Sequence, residues 1–180
     1  MKKLYLPVLL FLTLAASAQD DTPVYYTGVV NIPGASKDSL FIKARQWLTE
    51  TFTTARFYSY IEDKETGELT GRANTWLAVR QANIFNGRSI YFFTPMTYNI
   101  WVKDGRFKYL FTEFQMYIDS ARETMPVTLV EGMEREDGVN IRPAAFRRMT
   151  RAMKESLAKQ MELLIPSLER KMTKPASNDF

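Results

Sequence analysis

The stretch Tyr98-Asn-Ile-Trp-Val-Lys-Asp-Gly-Arg-Phe-Lys-Tyr-Leu-Phe-Thr112 consists of two alternating apolar runs around Asp104-Gly105. A two-residue turn of this composition tolerates positive φ and predicts a β-hairpin closed by a type I′ turn. The turn fixes the register. Val102 then faces Phe107, Ile100 faces Tyr109 and Tyr98 faces Phe111 on one side of the sheet, while Trp101/Lys108, Asn99/Leu110 and Thr97/Thr112 share the other. The first side is a core face that another layer must cover.

Working outward from the hairpin, Asn86-Gly87 is a second type I′ signal, turning a strand through Ile84 back into Ser89-Ile-Tyr-Phe-Phe-Thr94. Pro95 donates to no ladder and is expected at a bulge or sheet edge. Further upstream, Asp63-Lys-Glu-Thr-Gly67 reads as a hairpin loop with Gly67 left-handed, between a strand over 56–62 and one starting near Leu69. Asp63, Glu65 and Glu68 look superficially like a calcium loop, but the late bidentate glutamate is missing. Val24 to Ile32 reads as a strand stopped by Pro33-Gly34, and Ser36 caps a helix with Asp38 in its first turn. Leu40, Phe41, Ala44, Trp47, Leu48, Thr51 and Phe52 line one side of that helix, so Trp47 reads as core and not as a ligand-stacking residue. Downstream of the hairpin, its second strand is expected to run on through Phe114 towards Ile118. A long helix then spans 143–165 with Phe146, Met149, Met153, Leu157, Met161 and Leu164 as its stripe, and Pro166 is expected to end or kink it. Residues 173–180 read as a loose tail. The predicted order is β-α-β-β-β-β-α. It gives a two-layer α+β fold, a curved antiparallel sheet of about five strands with helices on one face.

Composition narrows the functional classes. Lys2-Lys3, an apolar run from Leu4 to Ala16 and Ala16-Ser17-Ala18 make the three parts of a secretory signal over 1–18. The run falls short of the ~20 residues that a spanning helix needs, so no transmembrane segment is expected in the mature chain. The chain has no cysteine, which excludes both disulfides and a lipid anchored on a cysteine at the cleavage site. The reading is an exported protein, periplasmic or secreted and not a lipoprotein, with residues 19–172 forming one domain around an ordinary core. Net charge falls from +4 to +2 once Lys2 and Lys3 leave with the signal, a balance that implies no nucleic-acid partner.

A Gly28-Val-Val strand, the Ser36-Lys-Asp-Ser-Leu helix start with Trp47 in mid-helix, the Asp63-x-x-x-Gly67 hairpin and Val102-Lys-Asp-Gly-Arg-Phe-Lys-Tyr109 together resemble a secreted bacterial domain of unknown function. That family is described as having a TATA-binding-protein-like fold. The resemblance covers about residues 26–118 and implies a curved antiparallel sheet backed by helices. It implies no activity, no cofactor and no catalytic residues.

With neither histidine nor cysteine, thiol nucleophiles, Ser-His-Asp triads, zinc sites and histidine bases are excluded, and no enzymatic role is expected. A carboxylate-based hydrolase using Glu113 and Asp119 is the weakest alternative. A binding or interaction module of the cell envelope is the leading reading, and two surfaces could carry it. One is the mixed hairpin face, where Trp101 stands beside Lys108 and Leu110, with a Lys108–Trp101 cation–π pair as the plain structural alternative. The other is the basic side of the last helix, Arg147, Arg148, Arg151, Lys154 and Lys159, which suits an anionic envelope surface. A carrier of a small apolar ligand or lipid, with a cavity between sheet and last helix lined by Met149, Met153 and Met161, is the alternative. The acidic stretch Glu131, Glu134, Glu136, Asp137 reads as a solvated loop or a cation site.

Overall fold

The computed structural model describes residues 24–52, 60–80, 89–118, 123–126 and 143–174. Residues 1–18, read as a secretory signal, the Asn86-Gly87 turn, Asp119, the acidic stretch over 131–137 and the tail beyond Lys174 lie outside the described residues. The elements run β1 (Tyr26–Asn31), α1 (Lys37–Thr51), β2 (Tyr60–Asp63), β3 (Glu68–Arg80), β4 (Ser89–Lys103), β5 (Arg106–Thr112), β6 (Gln115–Ile118), β7 (Glu123–Pro126) and α2 (Pro143–Thr173). Strands β1 to β5 form one antiparallel sheet in the order β1-β5-β4-β3-β2. This is the expected α+β architecture, with β6 and β7 as an additional two-stranded ladder.

The central hairpin has the register read from its sequence: Val102 opposite Phe107, Ile100 opposite Tyr109, Tyr98 opposite Phe111 and Trp101 opposite Lys108. The turn differs from the expected type I′. Only Gly105 takes a positive φ, +72°, so Asp104 is not left-handed. A type I′ turn needs positive φ at both central residues, whereas type II needs it only at the second. The cause is tertiary. Gly105 donates its N–H to Ala35 O and accepts from Ile32 N–H, and Asp104 Oδ1 accepts from Lys37 N–H at 2.7 Å. The β1–α1 connection thus holds the turn and sets its geometry.

Pro95 lies inside β4, opposite Asn74, and no bulge is needed to accommodate it. Val102 donates its N–H to Gly67 O. Even-numbered residues of β4 therefore turn their backbone groups towards β3 and odd-numbered ones towards β5. Pairing with β5 stops at Thr97, so the donor missing from Pro95 faces a side where, among the described residues, no ladder is formed, a local sheet edge. Serine 89 stands opposite Arg80, not opposite Ile84 as a two-residue turn at Asn86-Gly87 would set it.

The second strand of the hairpin does not run on to Ile118. Strict alternation would put Glu113 on the core face with Phe107, Tyr109 and Phe111. Instead Glu113 has φ +52°. Its carboxylate accepts from Thr97 Oγ1 at 2.6 Å and lies 3.5 Å from Arg72, both on the opposite face. Phe114 enters the core in its place, 3% exposed and edge-on to Tyr26. One left-handed residue keeps a charge out of the core and starts a new strand at Gln115.

Both helices cover one face. Leu40, Phe41, Ala44, Trp47 and Leu48 from α1 and Phe52 at its C-cap pack with Leu69, Ala73, Leu77, Met96, Tyr98, Ile100, Val102, Phe107 and Phe111 of the sheet. Ser36 caps α1 as expected, accepting from Ser39 N–H; Thr51, placed on the apolar side by its spacing, is exposed. Trp47 is 3% exposed, and its indole N–H donates to Ser167 Oγ of α2 at 2.9 Å. The last helix does not end at Pro166; it continues to Thr173 with the proline inside it. Leu168 and Met172 are fully buried and extend the stripe of Met153, Leu157, Met161 and Leu164 by two turns. Pro166 itself is exposed. The Glu162 carbonyl that loses its helical donor therefore lies at a solvated turn.

Candidate functional site

The face of the sheet opposite the helices carries the other half of every strand's alternation. Register places Asp63, Glu68, Trp101, Lys108 and Val29 in one cross-strand row, and Ile61, Thr70, Asn99, Leu110 and Thr27 in the next. Neither helix reaches this face, and it is apolar in places: Val29 is 60% exposed, Ile61 59%, Trp76 55% and Tyr91 67%. Trp76 packs edge-on against Phe93 with ring centroids 5.2 Å apart. A polar band separates this aromatic end from the hairpin end. In it the Thr70 hydroxyl lies within hydrogen-bond distance of the side-chain oxygens of both Asn99 and Glu68, and Thr97 and Arg72 hold Glu113.

At the hairpin end Val29, Trp101, Lys103, Arg106, Phe107 and Lys108 line a hollow of about 340 Å³. The Lys108 ammonium stands 5.3 Å from the centroid of the Trp101 ring, within cation–π range. The plain structural alternative to an exposed aromatic patch is therefore present, and Trp101 is half-buried. Leu110, grouped with these two from the sequence, is also half-buried and sits one row away. Val29, Lys103, Arg106 and Phe107, the last otherwise a residue of the core face, are the additions. Lys103 and Arg106 flank the turn at the parity of Trp101 and Lys108, so the local sequence already puts them on this face. Val29 reaches it only because β1 pairs with β5, and no local pattern encodes that pairing.

The basic side of α2 is placed less completely. Arg148 and Arg151 are exposed and Lys154 is half-buried, while Arg147 lies in α2 with its side chain outside the described residues. Glu155 and Glu162 are exposed on the same helix. This surface alternates in sign towards its C-terminal half. Met153 and Met161, proposed cavity-lining residues, are 1% exposed and belong to the packed core; the Met149 side chain is outside the described residues.

The carboxylates show what chemistry they can support. The hydrogen bond from Thr97, with Arg72 beside it, holds the Glu113 carboxyl below the ordinary glutamate value. It is a permanent anion at neutral pH, the reverse of what a general acid requires. Asp63 Oδ1 accepts from the Thr66 N–H and, with less effect, the Glu65 N–H; Thr66 above all lowers its carboxyl below the ordinary aspartate value. That carboxylate caps its own loop. Among the described residues no cluster of three acidic, histidine or cysteine side chains could hold a metal ion, and no helix is long and apolar enough to cross a membrane.

The family model for a domain of unknown function (DUF4468) with TBP-like fold matches residues 26–117. The crystal structure of a TBP-like protein from Parabacteroides distasonis is similar, with a TM-score of 0.63 at 14% identity, covering 84% of this chain and 94% of that one. A DUF4468 family protein from Bacteroides ovatus gives a TM-score of 0.61 at 10% identity, covering 87% and 90%. At such identities the likeness is one of fold. No curated protein matches the chain.

Proposed function

The chain belongs to the DUF4468 family of domains with a TBP-like fold, and from that premise we propose that it is a non-enzymatic binding module exported to the bacterial cell envelope. Its recognition surface is the helix-free face of the sheet. The observation that supports this reading is the set of exposed apolar side chains on that face, Val29, Ile61, Trp76 and Tyr91. They alternate in register with a complete core on the other side, and Trp76 and Tyr91, one row apart, set two exposed aromatic rings side by side at one end of the face. Export rests on the tripartite segment over 1–18. Intact mass of the processed protein should begin at Gln19; retention of residues 1–18 would withdraw the envelope from the proposal.

A photo-crosslinking amino acid placed in living cells tests the surface. Positions 61, 76 and 91 report on the helix-free face, and positions 42 and 163, exposed on α1 and α2, are the controls. Discrete adducts from the first set that are absent from the second are expected. Equal labelling from both sets would remove the helix-free face as the recognition surface.

A further inference from the structure

The hollow at the hairpin end has a composition that points to a class of ligand. Its lining includes two apolar side chains of one cross-strand row, Trp101 and Val29, and three cations, Lys103, Arg106 and Lys108. None of these cations forms an ion pair with a described acid. The two nearest acids in register face other donors, Glu68 the Thr70 hydroxyl and Asp104 the Lys37 N–H, and neither forms an ion pair with these cations. Three cations that outnumber the two neighbouring acids, and pair with no described one, give the hollow a net positive field, and an anion with an apolar body satisfies both parts at once. The volume of about 340 Å³ is at the lower end of small-molecule sites. Lys108 shields one side of the Trp101 ring at 5.3 Å, and an acid group that draws the ammonium aside would expose that ring to the body of the ligand.

We propose that this hollow binds a small, freely diffusing amphipathic anion: a flat apolar body with one carboxylate, sulfonate or phosphate. The body lies on Trp101 and Val29, and the acid group sits among Lys103, Arg106 and Lys108. The proposal rests on the helix-free face being the recognition surface, and it narrows that reading to a ligand chemistry.

The test is a fluorescence titration of the exported protein with 8-anilinonaphthalene-1-sulfonate, against the neutral N-phenyl-1-naphthylamine, with circular dichroism to show that each variant is folded. One-to-one binding of the sulfonate is expected, about tenfold weaker in Lys108→Ala and in Lys103→Ala. Binding should also weaken as salt is raised, and be lost in Trp101→Ala. Arg170→Ala, at the far end of α2, should bind as the parent does. The neutral probe should bind at least about tenfold more weakly than the sulfonate. Equal binding of both probes, or affinities unchanged in Lys108→Ala and Lys103→Ala, would overturn the anion site. Those outcomes would leave the crosslinking pattern intact, whereas loss of that pattern would remove the surface itself.

Discussion

At the scale of single residues, two polar side chains act over long sequence separations. Asp104 lies 67 positions from Lys37 and accepts the N–H at the start of α1, so the hairpin turn serves as a second cap for that helix beside Ser36. Removing a capping oxygen costs about 0.5–2 kcal/mol. Asp104→Ala should lower the urea midpoint by a corresponding amount, with Asp104→Asn recovering most of it; identical midpoints for Ala and parent would mean that the contact carries no stability. Glu113 gives a pH-dependent counterpart. Its carboxyl is held low chiefly by the Thr97 hydroxyl, so the folded state favours the deprotonated form. The contribution is fully present above the ordinary glutamate range and is lost as the pH falls through the lowered folded value. The Glu113 side chain is 56% exposed, which screens the effect and keeps it small. Thr97→Val should raise the Glu113 value towards the ordinary one in a carbon-detected NMR titration, and no rise would assign the shift to Arg72 instead. Gly67 is more constrained: at φ +75° a Cβ would run into Val102 O. The sequence predicts its left-handed backbone. It does not predict Glu113, because nothing in the composition of Thr112-Glu113-Phe114 announces a left-handed glutamate.

At the scale of elements, what was legible depended on how local the determinants are. The β4–β5 register follows from a two-residue turn and alternation, and both are contained in fifteen consecutive residues. The turn departs from its local type I′ signal because its geometry is set by Ile32, Ala35 and Lys37, a contact between distant segments. In α2 the signal was present but outweighed. Proline inside a helix costs about 3 kcal/mol, so Pro166 reads as a terminator. Yet Leu164, Leu168 and Met172 continue the spacing, and burying Leu168 and Met172 at 0% exposure offsets that cost, at about 1.5–3 kcal/mol for each side chain. Further ties fix the end of α2 to α1: Lys43 Nζ donates to Met172 O, and Lys171 pairs with Glu50 at 2.7 Å. Leu168→Ala should therefore cost about 2–5 kcal/mol in urea unfolding. A loss below about 1 kcal/mol would mean that the turns beyond Pro166 are not docked.

At the scale of the whole molecule, the fold is two-layered and the two faces of its sheet meet different surroundings. Leu77 and Ile100 on the helix side are fully buried, while Ile61, Trp76 and Tyr91 on the other side are more than half exposed, although both sets consist of large apolar residues. Hydrophobic composition alone does not distinguish the faces. The helices do, by covering one of them. If the exposed set serves recognition and not folding, its removal should spare stability and impair association. Ile61→Ser, Trp76→Ser and Tyr91→Ser should each shift the unfolding free energy by less than about 1 kcal/mol, with Trp76 the most sensitive because it also packs on Phe93. Leu77→Ala and Ile100→Ala should each lose about 2–5 kcal/mol through transfer and cavity terms. The same three serine variants, carried into cells with the crosslinker at one of the remaining outer positions, should lose the adduct. Stable variants that keep the adduct would move the partner to another surface. Serine variants that unfold as readily as Leu77→Ala would show that the outer face is a second core, covered in the native protein by chain or partner.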